Sequence, residues 1–248
     1  MKNYKVSIIT PNLNYGRYIE ETIISVIKQT YYNIEYIIVD GGSTDNSKEI
    51  YEKYKSKVSK IIIQKDENMY QAIDRGFKNS SGDIIGWINA DDLYFPNAIE
   101  DAVKHFEITN CDWLVGKTSK KIKEKVFTYP VPFYYPRSYI QKGRCHKMDF
   151  GCISQESVLF KKSLYIKSGG LDLNYKLAGD FLLWKKFSNF ATLETINKKI
   201  GIFRVQKNQI SADQKKYYKE INLNYSYRLN FYRMIYSIYK FFIQKLIK

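Results

Sequence analysis

The sequence predicts an α/β protein: a mostly parallel sheet flanked by helices, followed by a basic amphipathic helical tail. Three observations carry this expectation. Short Ile- and Val-rich runs alternate with longer stretches of helical spacing through residue 106. Each apolar run is followed by a loop bearing Asp, Asn or Gly. From residue 214 onward, Lys and Arg interleave with Tyr, Phe, Ile and Leu against one acid, Glu220. Strands alternating with helices of this length imply right-handed crossovers and parallel pairing.

Taken in order, residues 6–10 form a short apolar run ended by Pro11, and Ile19, Ile23, Val26 and Ile27 then share one helical face over 18–28. Residues 34–39 read as a second buried strand, and Ser43, Thr44 and Asp45 supply capping groups for a helix to about residue 57. A third strand over 60–64, a helix over 69–79, a fourth strand over 83–88 and a helix from Pro96 to about residue 106 repeat the unit. Past Asn110 the alternation loosens. Residues 113–117, 126–130, 157–160 and 200–205 are strand-like, 179–188 is helical, and 214–248 reads as a long helix.

In such sheets a ligand sits at the carboxyl ends of the strands. The polar residues collect there: Thr10, Pro11, Asn12 and Asn14 after the first strand, Asp40 after the second, Asp66 after the third, and Asp91 and Asp92 after the fourth. The Asp91-Asp92 pair offers hard oxygen ligands of the kind Mg²⁺ or Mn²⁺ prefers beside substrate phosphates. The same pair also fits a turn ahead of Pro96. Asp40 could accept a hydrogen bond from a nucleobase, with Gly41-Gly42 letting backbone approach closely, although an Asp-Gly-Gly-Ser turn is common between strand and helix.

Bulk properties bound the partners. A chain of 248 residues suits one α/β domain with a small appendage. Net charge is +15, from 40 Lys and Arg against 25 Asp and Glu, which favours an anionic partner. No helix-turn-helix, zinc finger or RNA-binding aromatic signature accompanies it, so nucleic acid is not expected. Cys111, Cys145 and Cys152 are odd in number and lack Cys-x-x-Cys spacing, which points to reduced thiols rather than disulfides or zinc. The first residues carry no apolar signal-peptide core, and no apolar run reaches the ~18 residues that span a bilayer. A cytoplasmic protein, peripheral at the inner face of the membrane, is the expectation.

Three stretches together resemble the inverting family-2 glycosyltransferases of GT-A fold: Val6-Ser7-Ile8-Ile9-Thr10-Pro11-Asn12-Leu13-Asn14, Ile38-Val39-Asp40-Gly41-Gly42-Ser43-Thr44-Asp45, and Gly82-Asp83-Ile84-Ile85-Gly86-Trp87-Ile88-Asn89-Ala90-Asp91-Asp92. The resemblance spans about residues 5–211. It implies a GT-A domain over 1–211, with a nucleotide-binding half (1–110) and an acceptor half (111–211), and a tail over 212–248. By the same resemblance, Thr10, Pro11, Asn12, Asn14, Asp40 and Asp66 belong to the donor nucleotide site, Asp91 to ribose and phosphate, and Asp92 to the metal, Mn²⁺ or Mg²⁺. Asn89 stands where the first acid of an Asp-x-Asp pattern often lies.

Further along, Phe150-Gly151-Cys152-Ile153-Ser154-Gln155 resembles the family's acceptor-side segment, with Gln155 near phosphate or acceptor. Leu177-Ala178-Gly179-Asp180-Phe181 resembles the segment whose acid opens a helix, which makes Asp180 the candidate catalytic base; by position it also suits a helix cap. Several positions depart from the family pattern, among them Gln71 where an acid is expected and Asp74 where an Asn is expected. Asn68 replaces an expected glycine, which Asn can match by adopting left-handed backbone. Gln206 replaces a His that many members carry, leaving Arg204 or Lys207 to neutralise phosphate.

The resemblance implies a hexosyl- or N-acetylhexosaminyltransferase. Its donor would be a nucleotide diphosphate sugar, a UDP-sugar first, and its acceptor a saccharide or a polyprenyl-diphosphate-linked molecule, in surface polysaccharide or glycolipid synthesis. The alternative is a relative that has lost its chemistry and acts as a membrane-associated binding protein. A nucleotidyltransferase would need a glycine-rich, basic loop after the first strand, which Thr10-Pro11-Asn12-Leu13-Asn14 is not. The tail fits either an anionic membrane surface or packing on the core.

Overall fold

The computed structural model describes residues 3–146, 149–206, 209 and 213–222, together with 235, 236, 238, 239, 241 and 242. Its first half winds β1 (Val6–Asn12), α1 (Gly16–Ile27), β2 (Ile34–Asp40), α2 (Ser47–Tyr54), β3 (Lys60–Ile63), α3 (Met69–Lys78) and β4 (Ile84–Trp87). The second half adds β5 (Leu93–Tyr94), α4 (Ala98–Thr109), β6 (Trp113–Ile122), β7 (Lys125–Thr128), α5 (Arg137–Gln141), β8 (Val158–Lys161), α6 (Lys162–Lys167), α7 (Gly179–Phe190), β9 (Glu194–Val205) and α8 (Gln214–Glu220). One mixed sheet runs in the order β3-β2-β1-β4-β8-β6-β9-β5, with β7 paired to β6. β1, β2, β3 and β4 are mutually parallel, β8 is antiparallel to β4 and β6, and β9 returns parallel to β6.

The Ile and Val runs form the central strands because both faces of the sheet are covered. Every residue of β1 is buried. Ile8 and Ile38 enter one cluster with Ile19, Ile23, Tyr51, Ile99 and Phe106, beneath α1, α2 and α4. Ile9, Ile37 and Val39, one residue out of phase, enter the other with Phe77, Trp87, Phe160 and Phe187. There Trp184 stacks between Trp87 (5.5 Å) and Trp113 (5.7 Å). Each such side chain adds ~1.5–3 kcal/mol of burial. Because Trp87 ends β4, this packing fixes the strand end from which Asp91 and Asp92 depart.

Several elements differ from the sequence expectation. The helix expected from Pro96 starts at Ala98, after a two-residue strand, β5, that the sequence pattern did not indicate. β9 begins at Glu194 rather than near residue 200, because Asn197, Lys198 and Lys199 are exposed and break the apolar pattern. α5 and α6 are too short to show a period. Asn68 does not take left-handed backbone: its φ is −156°, and its side chain caps α3 by accepting from the amides of Tyr70 and Gln71. The helix expected over 214–248 is interrupted, since α8 ends at Glu220 and Asn222 turns left-handed at φ 55°. Most of the remaining tail lies outside the described residues.

Candidate active site

The strand order reverses between β1 and β4, the point at which open α/β sheets receive their ligands. β1 pairs with β2 as far as Asn12 and Asp40, but with β4 only as far as Ile9 and Trp87. Pro11, which has no amide to donate, therefore stands past the last β1–β4 rung, where no hydrogen bond is asked of it. Loops from both strands enter this gap.

The loops after β1 and β2 are laced to each other. Asp40 is fully buried, and its carboxylate accepts from the amides of Gly42 (2.8 Å) and Ser43 (2.6 Å), the Tyr51 hydroxyl (2.6 Å) and Asn12 Nδ2 (3.1 Å). Burial alone would raise its proton affinity, but donation from Tyr51, Ser43 and Asn12 leaves it below the ordinary Asp value. The sequence expectation is that Asp40 faces a nucleobase; its carboxylate instead accepts from Gly42 and Ser43 of the following loop, Tyr51 of α2 and Asn12 of β1. Thr10 is likewise fully buried, its hydroxyl accepting from Tyr36 at 3.0 Å. Asn14, exposed at φ 59°, takes the Thr44 amide at 2.8 Å and presents the loop to solvent. Asp66 is paired with Arg75 of α3 at 2.6 Å.

At the other wall the acids gather. Asp92 is 1% exposed; its Oδ1 accepts the Arg204 amide at 2.9 Å and its Oδ2 lies 3.4 Å from Asn89 Nδ2. Asp91 accepts from Gln206 Nε2, so the residue standing in place of a His holds an acid of the pair. Burial raises the proton affinity of Asp91. Burial, joined by the charges of Asp91 and Glu156, pushes Asp92 well above its ordinary value. Tyr15, from the loop after β1, also rises through burial and the charges of Asp91 and Asp92, which places that loop beside the pair.

Arg204 contributes less directly than the sequence suggested. Its guanidinium pairs with Glu21 of α1 at 3.0 Å and lies over the Tyr18 ring, while its charge lowers Asp91. Gln155 is buried and donates to the Trp87 carbonyl at 2.6 Å, tying the turn before β8 to the end of β4. Lys207 lies outside the described residues.

Two features matter beyond the sequence reading. Glu156, 6% exposed, has its carboxyl raised to about 7 by burial and by the charges of Asp180 and Asp91. Nothing local in Gln155-Glu156-Ser157 marks that acid; the only sequence hint is Gly201, where a Cβ would meet the Glu156 carbonyl carbon at 2.7 Å. Asp180 sits in the first turn of α7, its Oδ1 accepting the Phe181 amide (2.8 Å) and the Tyr70 hydroxyl (3.3 Å). Burial lifts its carboxyl to about 6 despite those two donors.

The acid pair fits a divalent cation. Asn89 Oδ1 is a buried acceptor without a partner, next to carboxylates whose charge burial disfavours. Hard carboxylate and amide oxygens are the donor set of Mg²⁺ or Mn²⁺. A separate group, His105, Cys111 and Glu194, brings ligand atoms within 4.8 Å of one another. It lies at the start of β9, whereas Arg204 beside Asp92 lies near its end, so at ~3.3 Å per residue roughly 30 Å separates the two.

A sheet of this order with acids at its reversal point is the architecture of GT-A glycosyltransferases. The chain belongs to Glycosyl transferase family 2, which matches residues 7–169. Among curated relatives, an uncharacterized glycosyltransferase of Rickettsia typhi is 31% identical over 191 residues, 73% of this chain and 58% of its own length. GlyG, a glycosyltransferase of Streptococcus pneumoniae, is 33% identical over 114 residues, 45% of this chain and 38% of its own. The chain thus spans well under two thirds of these relatives. Among solved structures, S. aureus TarS 1–349 in complex with UDP-GlcNAc has a TM-score of 0.71 at 18% identity, covering 87% of this chain and 64% of TarS 1–349. The mannosyltransferase PcManGT of Pyrobaculum calidifontis, in complex with GDP-Man and Mn²⁺, has a TM-score of 0.66 at 16% identity, covering 92% and 67%. These two share the fold.

Proposed function

We propose that this glycosyltransferase moves a sugar from a nucleoside diphosphate sugar, a UDP-sugar first, to a hydroxyl of a saccharide or polyprenyl-diphosphate-linked acceptor, with inversion and with Mn²⁺ or Mg²⁺. The observation that carries the reading is that the half-buried Asp91 and the buried Asp92 share the neighbour Glu156 with Asp180, whose carboxyl is poised at about 6. Such a value suits a base working near neutral pH.

Asp92, with Asp91 and Asn89, would hold the cation, which supplies charge neutralisation for the departing diphosphate. Pro11, near the end of β1, and Asn14, in the loop after it, would line the donor side, on a segment that Thr10, Asn12 and Asp40 brace from behind. Gln155 keeps the acceptor turn on β4, Arg204 tempers the charge of Asp91, and Asp66 with Arg75 supports the start of α3. Asp180 Oδ1 is held by Phe181 and Tyr70, which leaves Oδ2 for the acceptor hydroxyl. The acceptor proton passes to Asp180 as the acceptor oxygen bonds the anomeric carbon. On the opposite face the bond to the diphosphate breaks and its electron pair leaves with the diphosphate.

Surface polysaccharide or glycolipid would be the product, made at the inner face of a membrane. Ile235, Ile238, Tyr239 and Phe242 of the tail are exposed while Tyr236 packs on Phe150 at 5.6 Å, an arrangement that suits peripheral docking. No helix among the described residues is long and apolar enough to cross a membrane. Thermal melts with UDP, GDP, dTDP and CDP, each with and without Mn²⁺, test the donor reading. A metal-dependent rise with one nucleotide names it; no rise with any nucleotide in the presence of metal overturns it.

A further inference from the structure

Glu220, the last residue of α8, is the one acid in the chain from residue 214 onward. Its carboxylate accepts from three successive amides: Lys176 at 3.0 Å, Leu177 at 2.9 Å and Ala178 at 3.0 Å. Successive N–H groups turned onto one anion form a nest, and this one lies just ahead of the positive end of α7. Asp180 follows two residues later.

The segment is gripped from a second side. The Tyr70 hydroxyl of α3 lies 3.1 Å from the Leu177 carbonyl and 3.3 Å from Asp180 Oδ1. Gly179 rests against the Tyr70 ring so closely that a Cβ there would approach it within 2.8 Å. α8 is itself anchored: Asp213 caps it through the Lys216 amide at 3.1 Å, and Tyr218, 1% exposed, packs edge-on against His146 at 5.7 Å. Tyr217 adds an edge contact to Phe181, the residue after Asp180, at 6.5 Å.

We propose that Glu220 is a positioning residue for Asp180: by holding the 176–178 amides it sets where the base stands against the acceptor, and so ties the C-terminal segment to the reaction. The proposal rests on Asp180 being the base. Oε1 serves Lys176, while Oε2 serves Leu177 and Ala178. A glutamine can keep an acceptor oxygen for part of the nest but turns an N–H₂ toward the rest.

The test compares wild type, Glu220→Gln and Glu220→Ala in steady-state transfer kinetics and in amide hydrogen exchange at 176–178. Displacing a catalytic group by about 1 Å can cost ~100-fold in rate. Glu220→Ala should therefore lower kcat about tenfold or more, leave the donor KM within about twofold, and leave stabilisation by the nucleotide unchanged. Glu220→Gln should fall between the two, and the pH–rate profile of both variants should shift on its acid side. Exchange at 176–178 should accelerate while α3 stays protected. An unchanged kcat in Glu220→Ala with faster exchange overturns the positioning role, as does a loss confined to donor KM. If Asp180→Asn retains transfer, the base reading has failed by itself, and the exchange data still report whether the clamp exists.

Discussion

Replacing Asp180 by Asn should stabilise the protein at neutral pH while disabling it. Burial raises the Asp180 carboxyl from 3.8 to about 6, so the folded chain holds this proton more tightly than the unfolded chain does. The sign follows from linkage. Below about pH 4 both states are protonated and the acid has no effect; between about 4 and 6 the unfolded state ionises first; above about 6 the folded state carries the full cost. At ~1.4 kcal/mol per tenfold change in proton affinity, that cost is as much as about 3 kcal/mol. Asn keeps an acceptor oxygen for the Phe181 amide and Tyr70 hydroxyl and carries no charge. Melts at about pH 8 should therefore show the variant as much as ~6–12 °C above wild type, given ~2–4 °C per kcal/mol for a chain of this size. The advantage should shrink below about pH 6 and vanish near pH 4. Transfer should fall ~10²–10⁴-fold, as for loss of a general base. Equal melting temperatures at pH 8, or retained transfer, would refute the reasoning.

Glu156→Gln removes a buried acid raised to about 7 beside Asp180 and Asp91, so the variant should be more stable than wild type above about pH 7. Because Glu156, at about 7, is still largely protonated where Asp180 titrates at about 6, the acid limb of the pH–rate profile should stay in place; a limb displaced by a full unit would mean that the two acids titrate as one pair. Gly201→Ala should cost ~1–3 kcal/mol in urea unfolding, since the new methyl meets Glu156 backbone at 2.7 Å. An unchanged urea midpoint would mean that β9 can give way there.

The alternation of the first half was legible because β1, β2 and β4 are continuous apolar runs, the mark of strands covered on both faces. β9 was legible only at its buried end, around Ile200, since Asn197, Lys198 and Lys199 point to solvent. The positions of the acid pair and of Asp180, after a strand end and at a helix start, could be read because both are local features. Side-chain direction was not local: Thr10, Asp40 and Arg204 turn to Tyr36, Tyr51 and Glu21, partners distant in sequence. Glu156 escaped for the same reason, as its burial depends on β9 pressing close at Gly201. Glu220 was visible as the lone acid of a basic tail, but the three amides that explain it lie far upstream.

The central claim is that Asp91 and Asp92 bind a nucleoside diphosphate through a divalent cation. Calorimetric titration of the stabilising nucleotide into wild type and Asp92→Ala, in Mn²⁺ and in chelator, tests it most directly. Wild type should bind in Mn²⁺, and affinity should fall at least about tenfold, ~1.4 kcal/mol, both in chelator and in the variant. Equal affinity under all of these conditions would contradict it.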